Sequence, residues 1–436
     1  MASLTIYDLA NQLATLLGKV VPSWTVERAE TESFAAECAG LKRLSDVQFE
    51  AWVSPINGNE KVVLGCLAER FPTQDEVRLM QRIVAVFRSD LRVVGEVMVA
   101  QDLWEGVAQT QFLRAAARLS PFSTTPLLRW TSTFAAAARQ TYEGASFTGS
   151  VILVKHLPTF RQRVGGRLHL FEQPLGFDQA LLREKWLKPF LQEGLFALVT
   201  VGHSGVARGF ADVSDPRDEV PEVLAPVEEL EGLYGLLRAG TSILSVSPSG
   251  DIYFALSSGV TFVNSQGHWR YQSWKGLTDV LEHRLGADVG QRALRLVAGA
   301  SYERRGSLYV FLNEGVDPSQ VVPDHADTNR HARTLRATVA GGSLNDPKSV
   351  RVLRSASGVD GAVVFDHRGR ISDVASMISE PSMDALTAAG QNHLKRFPGA
   401  RSTAAWNASI YGLAIKVSED GPVDVYEGGK HVFHSG

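Results

Sequence analysis

The chain has 436 residues, which is enough for roughly three domains, or two with one enlarged, and for a sizeable core without cross-links. With 44% hydrophobic residues, 21% charged residues and a net charge of −3, its composition excludes disordered, collagen-like and coiled-coil chains. This charge balance gives no overall attraction to nucleic acid, and no basic patch stands out along the sequence.

Three features of the sequence indicate the compartment. Cys38 and Cys66 are too few for a disulfide framework or a structural zinc site, so we expect buried thiols in a reducing environment. The N-terminal segment carries Asp8 within its apolar stretch and lacks the basic region of a signal peptide. No window approaches the roughly 18 apolar residues of a membrane span. We therefore expect a cytoplasmic protein that does not contact the membrane.

The first 120 residues show an α+β pattern, which we assign to an N-terminal domain over 1–120. Its strand–strand–helix order is similar to that of sensor domains of the GAF type. Apolar spacing and alternation predict these elements: helices over Leu4–Leu17, from Gln74 and over Leu103–Leu119, and strands over Val47–Val53 and Lys61–Ala68 around the turn Asn57-Gly58-Asn59.

A break rich in proline and hydroxyl residues, from Pro121 to Pro126, predicts a boundary between 120 and 145. An α+β and β-meander module is expected over 145–275. Around and within it the sequence predicts helices over Leu128–Tyr142 and Phe177–Gln192, a strand over Ser150–Lys155, a hairpin of Phe196–Val201 with Val206–Phe210, an acidic run over Asp212–Glu231, and meander strands Ser242–Val246, Ile252–Leu256, Thr261–Val263 and His268–Tyr271.

Several familiar catalytic motifs are absent from the sequence. The turn Gly202-His203-Ser204-Gly205 has neither the G-x-S-x-G spacing nor the following helix of a nucleophile elbow, so we interpret it as a β-turn. There is no H-E-x-x-H, no Cys-x-x-Cys, no P-loop and no G-x-G-x-x-G. Zinc-hydrolase, P-loop and Rossmann interpretations are thereby excluded.

The C-terminal segment contains two motifs that together point to a ligand. After a predicted helix over Leu277–Gly299, a strand over Ser307–Leu312 and a polar loop over Asp317–Asp346, the triplet Asp360-Gly361-Ala362 enters a buried strand. Further along, Gly399-Ala400-Arg401-Ser402-Thr403 opens a helix, where an arginine and free N–H groups suit a phosphate.

These motifs resemble the diadenylate cyclase domain of the DNA integrity scanning protein DisA and its relatives. In that family Asp-Gly-Ala precedes a strand, and Gly-Thr-Arg-His-Arg-Ala-Ala opens a later helix that leads into a hairpin. Here Asp360, Gly361 and Ala362 match the first motif, and Gly399, Arg401, Ala404 and Ala405 match the second. The resemblance covers 275–436 and implies an α/β domain with a mixed central sheet flanked by helices. Trp186-Leu187-Lys188-Pro189-Phe190 also looks like a segment of nucleotide-sensor versions of the family.

The resemblance implies an adenine nucleotide or cyclic dinucleotide between Asp360-Gly361-Ala362 and Gly399–Thr403, with binding residues Gly399, Arg401, Ser402 and Thr403 in the second motif. Active relatives join two ATP molecules across a head-to-head dimer. If turnover is retained, Asp360 would assist catalysis and hold Mg²⁺ or Mn²⁺, and the chain would form a homo-oligomer.

The departures from the family pattern favour binding without turnover. Where active cyclases have Thr-Arg-His-Arg, this chain has Ala400-Arg401-Ser402-Thr403, so charge that would stabilise the departing pyrophosphate is lost. We therefore expect a nucleotide-binding sensor. An active diadenylate cyclase and a non-catalytic interaction protein are the alternatives.

Simpler structural interpretations of the same residues also stay open. Asp360-Gly361 suits an ordinary turn, Ser402 or Thr403 suits a helix N-cap, and Arg401 suits a surface ion pair. The run Arg330-His331-Ala332-Arg333 precedes Asp360 with the wrong spacing, and we assign it to a loop.

Overall fold

The computed structural model describes residues 5–21, 24–30, 38–54, 60–68, 70–96, 101–142, 145–192, 194–202, 204–214, 227–322, 334, 337–339, 341–356 and 360–435. Contacts divide the chain into a first unit, residues 1–220 with 229–273, and a second unit, residues 221–228 with 274–435. Three predicted features lie outside the described residues, wholly or in large part: the turn at 57–59, the acidic run after Asp212 and the motif at 330–333.

The first unit begins with a four-stranded antiparallel sheet in the order β1-β4-β3-β2. Thr5 and Asp8 form a capping box that starts the first helix, with Thr5 N–H donating to Asp8 Oδ2 at 2.8 Å. The elements are α1 (Ile6–Gly18), β1 (Trp24–Glu30), β2 (Ala39–Arg43), β3 (Gln48–Val53), β4 (Glu60–Leu67), α2 (Gln74–Glu96) and α3 (Gln101–Ala117).

An eight-stranded sheet follows in the order β14-β13-β12-β11-β7-β9-β10-β8, in which only β7 and β9 pair in parallel. Its elements are α4 (Thr124–Ala138), β5 (Thr141–Tyr142), β6 (Ala145–Ser146), β7 (Ser150–Val154), α5 (Leu157–Val164), β8 (Leu168–Gly176), α6 (Phe177–Leu182), α7 (Leu187–Gln192), β9 (Phe196–Val201), β10 (Val206–Asp212), α8 (Glu231–Tyr234), β11 (Thr241–Val246), β12 (Ile252–Leu256), β13 (Thr261–Ser265) and β14 (His268–Gln272). The structure therefore contains both the predicted hairpin and the predicted meander. One hydrophobic cluster runs from Leu13 of α1 to Phe262 of β13 and joins the two sheets.

The second unit is built on a six-stranded mixed sheet in the order β17-β16-β15-β18-β19-β20, with β15 and β16 parallel and the other pairs antiparallel. Its elements are α9 (Trp274–Leu285), α10 (Ala287–Tyr302), β15 (Ser307–Leu312), α11 (Pro347–Ala356), β16 (Ala362–Phe365), β17 (Ile371–Ser376), α12 (Met383–Ala388), α13 (Ala400–Ala408), β18 (Gly412–Val417), β19 (Val423–Glu427) and β20 (Lys430–Ser435). Helix α13 packs on one face of the sheet, where Trp406 joins Val310 and Ala414 in the core. The predicted α+β class, with a mixed central sheet and helices in the C-terminal part, is confirmed.

Three predicted helices have different bounds. The predicted helix over Phe177–Gln192 is two short helices, because Pro189 would clash with the carbonyl of Lys185 if one helix continued through both. The predicted helix over Leu277–Gly299 is also divided, at Gly286, whose φ of +79° ends α9. The helix expected over Leu128–Tyr142 starts at Thr124 and ends at Ala138, and Tyr142 lies in β5.

The expectations for the cysteines and for the membrane can also be compared with the structure. Cys38 and Cys66 are both free and buried, as predicted, and burial raises the pKa of the Cys66 thiol to about 12. Among the helices that the structure describes, none combines the length and the apolar character needed to cross a bilayer.

A buried ion pair anchors the start of α2. The carboxylate of Glu76 is fully buried and accepts hydrogen bonds from Arg70 Nη1 at 2.9 Å and Arg70 Nη2 at 2.5 Å. It also accepts the Thr73 backbone N–H at 2.7 Å and the Ser273 hydroxyl at 2.6 Å. These four hydrogen bonds offset the cost of burying the Glu76 carboxylate. Loss of the carboxylate would leave several buried donors unpaired.

We expect Glu76→Ala to lower the free energy of unfolding of the first unit by about 3–5 kcal/mol, the usual cost of breaking a buried ion pair. Urea unfolding followed by tryptophan fluorescence measures this loss. Asp75→Ala is the matched control, because Asp75 forms a weak 3.5 Å pair with the exposed Arg78 and should cost less than about 1 kcal/mol. Equal costs for the two variants would contradict the assigned role of Glu76.

Candidate functional site

The strand register of the second unit brings the two sequence motifs to one edge of the sheet. Leu308 of β15 pairs in parallel with Ala362 of β16, so the segments that precede both strands emerge side by side. Strand β18 runs antiparallel to β15 with Val417 opposite Ser307, so Glu419 reaches the same edge. We call this end of the strands the motif edge and define it by Gly306, Asp360 and Glu419.

Helix α13 presents Arg401 to the motif edge. Arg401 Nη1 donates to Glu419 Oε1 at 3.3 Å, and the guanidinium lies so close to Gly306 that a Cβ there would overlap it. The Arg401 side chain is 30% exposed and that of Glu419 is 77% exposed. Such an exposed pair contributes little, so an anion of higher charge can displace Glu419 from Arg401.

Asp360 and the residues after it differ in what they offer a ligand. Asp360 is exposed and forms no hydrogen bond or ion pair with any other residue that the structure describes. Gly361 has a φ of +121°, and a Cβ there would lie 2.5 Å from the carbonyl carbon of Ala375. The side chain of Ala362 is fully buried in the sheet core, so only its backbone is available. Asp360 is therefore the group of this motif that can contact a ligand through its side chain.

The residues that open α13 have distinct roles. Gly399 is the N-cap and has an extended backbone, so the interpretation of Ser402 or Thr403 as the cap is wrong. Thr403 Oγ1 accepts the Phe397 N–H at 3.0 Å and lies 3.3 Å from the carbonyl oxygen of Gly399. Thr403 therefore holds the preceding loop, while Ser402 is half-buried in the first turn.

The motif edge fits Mg²⁺ or Mn²⁺ only in company with a phosphate. Magnesium in proteins is held by one or two carboxylates together with phosphate oxygens and water. Asp360 supplies one exposed carboxylate, whereas Glu419 is paired with Arg401. A metal at Asp360 would therefore take its remaining ligands from the nucleotide phosphates and from water.

A cavity lies at the opposite end of the strands of the same sheet. Its volume is about 870 Å³, and its walls include Asn313 after β15 and Tyr411 before β18. Glu380, Asp384 and Glu427 also line it, and neither lysine nor arginine is among its described lining residues. Three lining carboxylates without a lining lysine or arginine disfavour a phosphate, so this cavity suits the predicted ligand less well than the motif edge does.

Sequence patterns did not reveal either the Arg401–Glu419 contact or this cavity. Both arise from segments that are far apart in the chain and meet through strand pairing, which leaves no local periodicity to detect. Comparison of the chain with models of protein families, with curated proteins and with solved structures gives no match. The likeness to diadenylate cyclases thus stays a hypothesis that rests on the two motifs.

Gly361→Ala should cost about 2–3 kcal/mol of unfolding free energy, because it combines a strained φ with overlap onto Ala375. Gly390→Ala is the control, since Gly390 has a φ of +70° but open space around its Cβ position. We expect the control to cost about 1–2 kcal/mol from the backbone alone. Urea unfolding of both variants measures the difference, and a smaller cost at Gly361 would contradict the close approach of β16 and β17.

Proposed function

We propose that the second unit is a nucleotide-binding module that holds the phosphates of an adenine nucleotide or cyclic dinucleotide at the motif edge. The observation that carries this proposal is the position of Arg401. The Arg401 guanidinium lies against Gly306, two residues before Leu308 of β15. Asp360 lies two residues before Ala362 of β16, and Ala362 is the parallel partner of Leu308. Both motifs thus contribute to one edge.

The chemistry of this edge suits a phosphate. A guanidinium can donate two parallel hydrogen bonds to phosphate oxygens, and Arg401 is held in the first turn of α13. The N-cap Gly399 provides no side-chain acceptor for the N–H groups that open this helix. Those N–H groups and the helix dipole add to the attraction of Arg401 for an anion.

Binding without turnover is the form of this function that the residues favour. Arg401 is the one cation in the segment Gly399–Thr403, and Thr403 uses its hydroxyl to hold the preceding loop. A charge-assisted contact from Arg401 adds to affinity without any catalytic role. Catalysis would require further groups that stabilise negative charge on the leaving pyrophosphate.

Calorimetric titration of the full chain with ATP, with cyclic di-AMP and with GTP tests the proposal. We expect heat of binding with at least one adenine ligand and weaker binding of GTP. No heat with any of the three ligands would contradict the proposal and favour an interaction protein. Incubation with ATP and Mn²⁺ tests the cyclase alternative, which would be supported by a cyclic product that Asp360→Asn abolishes.

We expect Arg401→Ala to weaken binding of the adenine ligand by about ten- to a hundredfold, because it removes a contact worth roughly 1.5–3 kcal/mol. Arg396→Ala is the matched control. Arg396 is 79% exposed and pairs with Glu380 of the acidic cavity, so its loss should leave the affinity unchanged. If a folded Arg401→Ala variant binds as tightly as the unmodified chain, the phosphates bind elsewhere.

Glu419→Gln should tighten binding of the same ligand in the presence of EDTA by up to about fivefold, because the carboxylate competes with phosphate for Arg401. The same titration measures the change, with Asp420→Asn as a control for the loss of one negative charge nearby. An equal gain in the two variants would mean that general charge, not release of Arg401, sets the affinity.

A further inference from the structure

We propose that Asp424, His431 and His434 form a binding site for a divalent transition-metal ion, independent of the nucleotide proposal. His431 Nε2 lies 3.0 Å from Asp424 Oδ1, and His434 Nδ1 lies 2.7 Å from the same oxygen. The three donor atoms all lie within 4.8 Å of one another. Two imidazoles and one carboxylate therefore converge on one point of the second unit.

A β-bulge produces this convergence. Residues three apart in a regular strand face opposite sides of the sheet, so His431 and His434 would normally diverge. The pairing of β20 with β19 shifts between Val425, which faces Phe433, and Tyr426, which faces His431. One extra residue in β20 is thereby accommodated, and both imidazoles reach Asp424. Bulges of this kind commonly re-aim side chains at functional sites.

The donor set determines which ions fit. Imidazole nitrogens suit zinc, iron, cobalt and nickel, whereas magnesium and calcium prefer oxygen ligands alone. Zinc bonds of about 2.0–2.2 Å to three such donors require donor separations of roughly 3–3.5 Å. The observed histidine–aspartate distances need to widen by a few tenths of an ångström to reach that range, while the two imidazole nitrogens lie within 4.8 Å of each other. Three protein ligands also leave a position for water or a small ligand.

Exposure and neighbouring contacts are consistent with an accessible but well-oriented site. The side chains of His431 and His434 are 35% and 31% exposed, whereas that of Asp424 is 10% exposed, so an ion can enter from solvent. Lys416 Nζ donates to Asp424 Oδ2 at 2.9 Å. Lys416 thereby fixes the carboxylate with its other oxygen, Oδ1, turned to the imidazoles, as partners outside a metal's ligand shell commonly do.

Because the ligands lie on strands and depend on a bulge, the common metal-binding sequence motifs could not have revealed them.

Titration of the untagged full chain with Zn²⁺ and with Co²⁺ tests this proposal. We expect one tight site and, with Co²⁺, visible absorption bands typical of nitrogen and oxygen ligation. His434→Ala and Asp424→Asn should each weaken Zn²⁺ binding by about a hundredfold or more. Removal of a residue that only contacts a metal ligand usually costs about ten- to a hundredfold in affinity, so a loss of this size would identify the two residues as ligands. His393→Ala, which alters an exposed histidine of the same unit, should bind as the unmodified chain does.

Far-UV circular dichroism of each variant shows whether the fold is retained, and His431→Gln provides a milder change in case His434→Ala unfolds. Equal Zn²⁺ affinity in the folded variants and the unmodified chain would overturn the proposal. So would a Co²⁺ spectrum that is identical to that of the aqueous ion. Either result would mean that the three residues form only a hydrogen-bonded cluster around Asp424.

Discussion

The parallel pairing of β15 with β16 determines where the residues of the motif edge lie. The register of Leu308 with Ala362 sends the chain segments before both strands to one edge, and the antiparallel strand β18 returns Glu419 to it. A slip of one residue would turn each strand's buried side chains to the other face. Since all residues of β15 and β16 are buried, packing on both faces opposes such a slip.

Helix α13 is held at its far end, and this determines the position of Arg401 at its near end. Trp406 is buried and donates its Nε1–H to the carbonyl oxygen of Gly429 at 2.8 Å. The Gly428 N–H donates to the Ser409 carbonyl oxygen at 2.7 Å, and the Gly429 N–H donates to Ser409 Oγ at 3.1 Å. The turn between β19 and β20 is thus fastened to the C-terminal end of the helix. At the other end of the helix, the Arg401 side chain lies against Gly306 and forms an ion pair with Glu419.

Local patterns predicted the parts of the fold that depend on neighbours in sequence. The four-stranded meander and the strand Ser307–Leu312 follow from short strand-forming runs bounded by turn residues, and the structure contains both. Strand β8 escaped prediction because it lies at a sheet edge and is exposed along most of its length, so no apolar alternation marks it. Likewise, the sequence around His431 does not predict the bulge that directs the His431 side chain to Asp424, because a bulge is defined by pairing with another strand.

The candidate site, like the fold, could be predicted only in part. Its motif residues could be chosen from spacing and residue chemistry, and the register accounts for their meeting at one edge. Their contacts could not be predicted, since the Arg401–Glu419 pair joins the start of a helix to a turn beyond the next strand. Nor could the contact of Thr403 be predicted, whose hydroxyl oxygen accepts the Phe397 N–H in the loop before α13.

The two ends of the six-stranded sheet differ in the charged groups that they present, and this difference supports the motif edge in our proposal of a phosphate site. The cavity at the other end is lined by Glu380, Asp384 and Glu427, of which Glu380 pairs with Arg396 and Glu427 with Arg284. At the motif edge a guanidinium and the N-terminal end of α13 both attract anions, and the carboxylates of Asp360 and Glu419 are exposed to solvent. Water screens these two carboxylates, which reduces their repulsion of an incoming phosphate. Strand register, the Arg401 guanidinium and the start of α13 therefore support the same end of the sheet for the anionic ligand that we propose.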